Sequence, residues 1–268
     1  MKKILLSLLI LALLLCGCTE SGDSVGDVDD TVEQTEKTVY IRTSHTLTAG
    51  DSVTRTDYIL DENDRVSQVV IYTNEKETMR YEVECDEHGN YVRWVGGGII
   101  GTFQYDEAGH LLGKSLYTGE VLISSTEYTW EGGNQLGVAE RNGAQEQRTV
   151  WFYNENGQKV REELYQNGVL LNYSQITNGE DGRPVSQDVY NADGTQHSTV
   201  TYTYDAASCT ATTTLSDGTV EQRTTYLYDE FGNLLSTTVY DGEGQMLSQI
   251  VDTWKAVTVP VDSLRASI

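Results

Sequence analysis

Four tryptophans (Trp94, Trp130, Trp151 and Trp254) and 17 tyrosines give this 268-residue chain the means to stack on sugar rings. Four histidines could ligate a metal. His88 and His110 occupy comparable places in neighbouring turns, but two ligands do not make a zinc site. Turns rich in carboxylates, such as Asp61-Glu62-Asn63-Asp64 and Glu180-Asp181-Gly182, offer oxygens of the kind calcium takes. None has the spacing of a helix–loop–helix calcium loop or of a glycine-rich nonapeptide, so they read as turn chemistry. No G-x-S-x-G, H-E-x-x-H or P-loop occurs. The glycines at 96–98 lead to no helix and mark a bulge or sharp bend rather than a phosphate cradle. Nothing brings an acid, a base and a nucleophile together. The sequence therefore points away from an enzyme and names no catalytic residue, metal or cofactor.

The most specific chemistry lies at Cys18. A basic Met1-Lys2-Lys3 start precedes an aliphatic stretch at 4–15. That is about a dozen residues, against the ~20 a membrane-spanning helix needs. It has the length of a signal-peptide core. The segment Leu15-Cys16-Gly17-Cys18 follows and resembles the bacterial lipobox, in which a thiol receives a diacylglyceryl group before the peptidase cuts ahead of it. The resemblance implies lipidation at Cys18, removal of 1–17 and stable attachment to a membrane without crossing it.

Residues 18–38 are acidic, rich in Ser, Thr and Gly, and free of aromatics. They cannot bury enough apolar surface to offset the entropy of ordering, and are expected to act as an extended tether. The chain carries 18 basic and 41 acidic residues, a net charge of −23. Removing 1–17 deletes Lys2 and Lys3 and no acid, which gives −25. That field repels nucleic acid, so no nucleic-acid partner is expected. Cys16 leaves with the leader and Cys18 carries lipid, so Cys85 and Cys209 remain. In an open meander they would lie about ten strands, ~50 Å, apart, far beyond the ~7 Å a disulfide spans. Two free thiols are expected.

The elements that position these groups are announced by a repeat. Phe103 to Leu112 reads F-Q-Y-D-E-A-G-H-L-L, and Tyr226 to Leu235 reads Y-L-Y-D-E-F-G-N-L-L. Weaker copies place the acidic or amide position at Asp61, Asp86, Asp106, Glu131, Asn154, Asn178, Asp205 and Asp229, about 24 residues apart. Each unit has an alternating run before the turn, as in T-V-T-Y-T-Y at 199–204, which is a strand signature. Asp or Asn then caps backbone amides. Glycine three positions on, as at Gly89, Gly109, Gly157 and Gly232, takes the left-handed conformation. A second alternating run and a second turn complete the unit. Only Pro184 and Pro260 interrupt, which suits a sheet that needs its amides. About sixteen short strands are expected, in an all-β, repetitive antiparallel meander forming a long, twisted or curled sheet. The recurring tyrosines serve that sheet. The four less regular tryptophans are the first residues expected to contact a ligand.

The pattern Y-x-Y-D-x-x-G-x-L resembles the YD, or RHS-type, repeat, most cleanly at Tyr226 to Leu235. The resemblance implies a β-sheet ribbon and carries no activity with it.

The expected layout is a leader at 1–17, a tether at 18–38, a β-repeat domain at 39–257 and a tail at 258–268. The expected role is that of a non-catalytic bacterial surface lipoprotein. It would be extracytoplasmic, held by its lipid, and would serve as a scaffold or protein-interaction surface. The alternative is a cell-wall or carbohydrate-binding module that uses exposed aromatics. In either case the membrane is one partner, and a protein or glycan of unknown identity is the other.

Overall fold

A computed structural model describes residues 36–260, and side-chain surroundings for 38–258. The leader, Cys18, the tether up to residue 35 and the tail from residue 261 lie outside the described residues.

Every described element is a strand. In chain order they are β1 Glu36–Ala49, β2 Ser52–Leu60, β3 Val66–Thr73, β4 Lys76–Cys85, β5 Tyr91–Gly96, β6 Ile99–Tyr105, β7 Leu111–Thr118, β8 Val121–Glu131 and β9 Asn134–Asn142. There follow β10 Gln145–Tyr153, β11 Lys159–Gln166, β12 Val169–Asn178, β13 Pro184–Asn191, β14 Gln196–Tyr204, β15 Ser208–Leu215, β16 Val220–Tyr228, β17 Leu234–Asp241 and β18 Met246–Pro260. Each pairs antiparallel with the next. β18 then pairs with β1 over thirteen registered positions, from Glu36↔Pro260 to Ala49↔Ser248. The meander is thus a closed barrel of 18 strands, not the open curled sheet of about sixteen that the repeat suggested. Closure abolishes the unpaired edges that an open sheet would expose. Local alternation cannot reveal it, because β1 and β18 are separated by the whole chain.

The two rims are built differently. At the first, where β2 meets β3 and every second hairpin turns, an Asp or Asn side chain organises five residues. Asp229 is the clearest case. Its Oδ1 accepts the Phe231 and Asn233 N–H groups at 2.9 and 2.8 Å, and its Oδ2 accepts the Asn233 amide at 2.8 Å. Gly232 completes the turn at φ +85°, and a bulge between Leu227 and Tyr228 absorbs the extra residue. Asp61, Asp86, Asp106 and Asn154 repeat the arrangement. Two positions depart from it. Glu131 caps nothing; it is the last residue of β8, paired with Asn134 across a two-residue Gly132–Gly133 turn. The turn expected at Asn178 starts one residue later, with the Gly179 N–H bonded to Arg183 O. At the second rim most connections are two-residue turns with positive φ, as at Asn167–Gly168 and Gly97–Gly98.

The bulges leave backbone carbonyls outside the ladder, and side chains close them. Trp130 Nε1 donates to Leu111 O, Tyr153 Oη to Gln135 O, Asn178 Nδ2 to Lys159 O, Tyr204 Oη to Pro184 O and Trp254 Nε1 to Leu234 O, all between 2.7 and 2.9 Å. Each donor ends one strand of a hairpin and each acceptor lies at the start of its mate. The donor at the first-rim end of one strand thus satisfies a carbonyl left free just after the preceding first-rim turn.

Residues directly opposite on neighbouring strands share a face. Following Tyr128↔Val138↔Thr149↔Leu164 round the barrel assigns one face to the repeating tyrosines and to all four tryptophans. That face is the inside: Thr149, Trp151, Ser198, Tyr226, Val239 and Ser248 on it are buried. The outside alternates with it. It carries Arg80, Glu82, Arg93, Glu127, Arg141, Arg161 and Glu163, several in cross-strand pairs such as Arg93–Glu84 at 2.6 Å.

β1 and β18 are the longest strands, at 14 and 15 residues. Trp254 marks the first rim, so Lys255–Pro260 and their partners Glu36–Ile41 run past it as a two-stranded ribbon. Six residues at the usual strand rise extend it by roughly 20 Å. Tyr40 on the ribbon stacks on Phe231 with ring centroids 4.8 Å apart, and Lys255 pairs with Asp64.

A candidate binding groove at the second rim

The inner face holds two kinds of wall. On β14–β17 it is closed by Cys209, Ala211 and Tyr226, with Val200, Tyr202, Tyr204, Tyr228 and Leu234 packed around them. On β7–β11, near the second rim, it is polar. Lys114 pairs with Thr126, Thr126 with Glu140, Glu140 with Gln147 and Gln147 with Gln166. Five neighbouring strands thus place five polar side chains in one lateral row facing inward. Four strand spacings of ~4.8 Å make the row roughly 19 Å long.

A cavity of about 330 Å³ lies along this row, and Ser124, Asn142 and Gln145 line it from the next row towards the rim. Glu140, Gln147 and Gln166 are exposed, Lys114 is half-buried and Thr126 is buried. Among the described residues, the side chains of Lys114, Glu140, Gln147 and Gln166 have no hydrogen-bond partner. One row further in on the same face stand Tyr128, Val138, Thr149 and Leu164, which do not line the cavity. Burial, with the Glu140 carboxylate second, raises the Tyr128 hydroxyl above its ordinary pKa, so it stays a protonated donor. Beyond that row, Trp151 Nε1 donates to Glu162 Oε2 at 2.6 Å and the Lys159 ammonium sits 4.6 Å from the Trp151 ring centroid. Burial lowers the Lys159 pKa, against the pull of Glu162.

The residues singled out in the sequence do not assemble into a site. Trp94 packs edge-on to Tyr81 at 4.5 Å and over Gly101, where a β-carbon would lie 2.3 Å from the indole. Trp130 stacks on His110 at 4.7 Å, and Trp254 lies under the Arg42 guanidinium at 5.0 Å. None of the four tryptophans is exposed and all face inward, so the expectation of an exposed aromatic platform is corrected. Asp61, Asp86, Gly89, Asp106, Gly109, Asn154, Gly157, Asp229 and Gly232 shape turns. Asp205 opens a shorter one, its N–H bonded to Ser208 O. Asp181 accepts from Arg183. No group of three or more His, Cys, Asp or Glu side chains able to hold a metal occurs among the described residues. Cys85 and Cys209 are free. Closure leaves them seven strands apart by the shorter way round rather than the ten or more of an open sheet. Burial, then Asp86, pushes the Cys85 thiol up to about 11.

The groove row was missed because Lys114, Glu140 and Gln147 look like ordinary surface residues. Counting in twos from Tyr128 would have found them, since Thr126 is on its face and the pairing carries that face across β7–β11.

Residues 27–182 match a protein-family model described as "Uncharacterised protein". The chain belongs to that family. The match covers 156 of 268 residues, β1 to β12 among them. It replaces the YD/RHS assignment: the matching family is a different one, and the sheet closes on itself instead of continuing as a ribbon. No curated protein matches. Among solved structures, a porin-like protein from Bacteroides uniformis is similar at 12% identity and a TM-score of 0.35, over 80% of this chain and 96% of that one. A protein from Bacteroides fragilis whose title gives its function as unknown is similar at 11% identity and a TM-score of 0.26, over 53% and 95%. A TcdB2–TccC3–Cdc42 structure gives 15% identity and a TM-score of 0.21, over 72% of this chain and 15% of that one.

Proposed function

We propose that this protein is a non-catalytic, lipid-anchored extracytoplasmic barrel. It stands in water on a tether and uses its rim and inner face to bind a partner. The observation that carries this reading is the polarity of the two faces. An 18-stranded barrel that spans a bilayer presents an apolar band outward, and each Arg or Lys at mid-depth costs about 2–4 kcal/mol. Here Arg80, Arg93, Arg141 and Arg161 and their carboxylate partners stand outward, while the four tryptophans and the tyrosines that recur before the first-rim turns stand inward. A hydrophilic exterior suits a barrel held beside a membrane, and the Cys18 motif supplies the attachment. β1 begins at Glu36 on the first-rim ribbon, and the groove lies at the other rim.

Detergent phase partitioning of the full chain and of a Cys18→Ala variant produced without residues 1–17 tests this, since an unlipidated precursor would keep its apolar leader. Wild type is expected in the detergent phase and the leaderless variant in the aqueous phase, with the same melting temperature once purified. A leaderless Cys18→Ala protein that stays in the detergent phase would show the barrel itself to be membrane-embedded, and the reading would fall.

A further inference from the structure

We infer that the second rim docks on a lipid surface and touches it through three apolar hairpin tips. The inference rests on the reading of a barrel that stands in water beside a membrane, and it says which end of the barrel meets that membrane.

Several turns at the second rim are polar, such as Asn74-Glu75 between β3 and β4 and Ser216-Asp217-Gly218 between β15 and β16. Three hairpin tips are not. Val121 and Leu122 open β8, Val169 and Leu171 lie at the start of β12, and Met246 and Leu247 open β18; all six are exposed. Val121 and Val169, at 69% and 66%, are the most exposed large hydrophobic residues among those described. Behind each tip a half-buried tyrosine stands on the outer face, directly opposite an aliphatic side chain: Tyr117↔Leu122, Tyr165↔Leu170 and Tyr240↔Met246. Single exposed aliphatics are ordinary on a protein in water, and clusters of them mark contact surfaces. Tyrosine beside such a cluster suits the boundary of a bilayer, where the ring lies among headgroups and the hydroxyl stays wet.

The spacing of the tips selects the partner. Along the closed rim they lie four, six and eight strands apart. At ~4.8 Å per strand these intervals are roughly 19, 29 and 38 Å. Three points spread round a ring of that size define a plane. A short peptide would cover one tip, whereas a bilayer surface meets all three at once. Charge selects the lipid. Glu120 and Glu243 stand in two of the three turns and the chain carries −23, so acidic headgroups are repelled. Zwitterionic headgroups, whose outermost charge is an ammonium, fit better. The 18 residues from Cys18 to Thr35 can span at most roughly 60 Å. An eight-residue strand is only ~27 Å long. A lipid on Cys18 therefore permits the second rim to face the same bilayer.

The test is co-flotation of the leaderless Cys18→Ala chain with phosphatidylcholine vesicles, so that no lipid anchor contributes. The chain is expected to float with the vesicles. The triple variant Val121→Ser, Val169→Ser and Met246→Ser, one change per tip, should lower its partition coefficient about tenfold or more. All three residues are exposed, so the melting temperature should hold. A matched triple near the first rim, Ile59→Ser, Leu112→Ser and Leu227→Ser, removes as many exposed aliphatic side chains and should float like its parent. Replacing half of the lipid by phosphatidylglycerol should reduce flotation. A chain that stays at the bottom, an equal loss in the first-rim triple, or stronger flotation on the acidic vesicles would each overturn the inference. A non-floating chain that elutes as a dimer, dissociated by the tip variant, would overturn it in favour of a second copy. The partitioning of wild type reads the lipid on Cys18 and is unaffected by any of these outcomes.

Discussion

The inner face towards the first rim and the inner face of β7–β11 near the second rim share a hairpin plan and inward parity, yet only the first is packed shut. Cys209 is 2%, Tyr226 7% and Trp151 8% exposed, while nearer the second rim Glu140, Gln147 and Gln166 reach solvent from the same face. The turns fix the strands, and what fills the inward positions is decided separately. A repeat can therefore keep its frame while its lining changes from packed to polar along each strand.

The sharpest way to break the comparison is to truncate inward residues at the two depths. Tyr226→Ala should cost about 3–5 kcal/mol, as deletion of a buried aromatic does. Gln147→Ala should stay within about 0.5 kcal/mol, as exposed polar substitutions do. Denaturant titration measures both, and equal losses would mean that the two depths are packed alike.

Turn substitutions should instead show the walls to be equivalent. Gly232, in the β16–β17 turn, and Gly157, in the β10–β11 turn, have φ of +85° and +72°. Alanine at either should cost about 1–2 kcal/mol, because the strain is local to the left-handed backbone. A much larger loss at Gly232 would show that packing and turn strain are coupled.

The smallest expected effect is on acid sensitivity. At Asp229 burial would raise the pKa, but the Asn233 side chain and the Asn233 and Phe231 N–H groups outweigh it and hold the carboxyl below its ordinary value. Its contribution is then fully present above the unfolded value of ~3.9 and is lost as pH falls through the lower folded one. The β10–β11 turn makes the same bonds with the amide of Asn154, which does not titrate. Asp229→Asn should therefore leave the melting temperature at pH 7 nearly unchanged and flatten its decline below pH 4. An unaltered acid limb would assign the sensitivity to other carboxylates.

Much of this was legible in advance. The Y-x-Y alternation located strands such as β14 and β16. Asp229 and Gly232 announced their turn because few other residues can accept two amides or take positive φ. Three features were hidden for physical reasons. Closure needs β1 to meet β18, and no local pattern encodes a pairing across more than 200 residues. Glu131 occupied the repeat's acidic place, but Gly132 and Gly133 allowed a tighter turn that needs no cap. The tryptophans looked irregular in sequence because two of them, Trp130 and Trp254, replace the tyrosine that bonds a displaced carbonyl. Their function there is set by reach, which residue spacing alone does not show.

The thirteen-position seam between β1 and β18 has a mechanical meaning as well. A pull applied at the N-terminal end of β1 while the far rim is held runs along that strand. It loads the hydrogen bonds to β18, and those to β2, in parallel and in shear, so they cannot be unzipped one at a time. The strand that takes the load is also the one gripped longest by a neighbour. The barrel's closing joint is therefore suited to be its strongest point under tension.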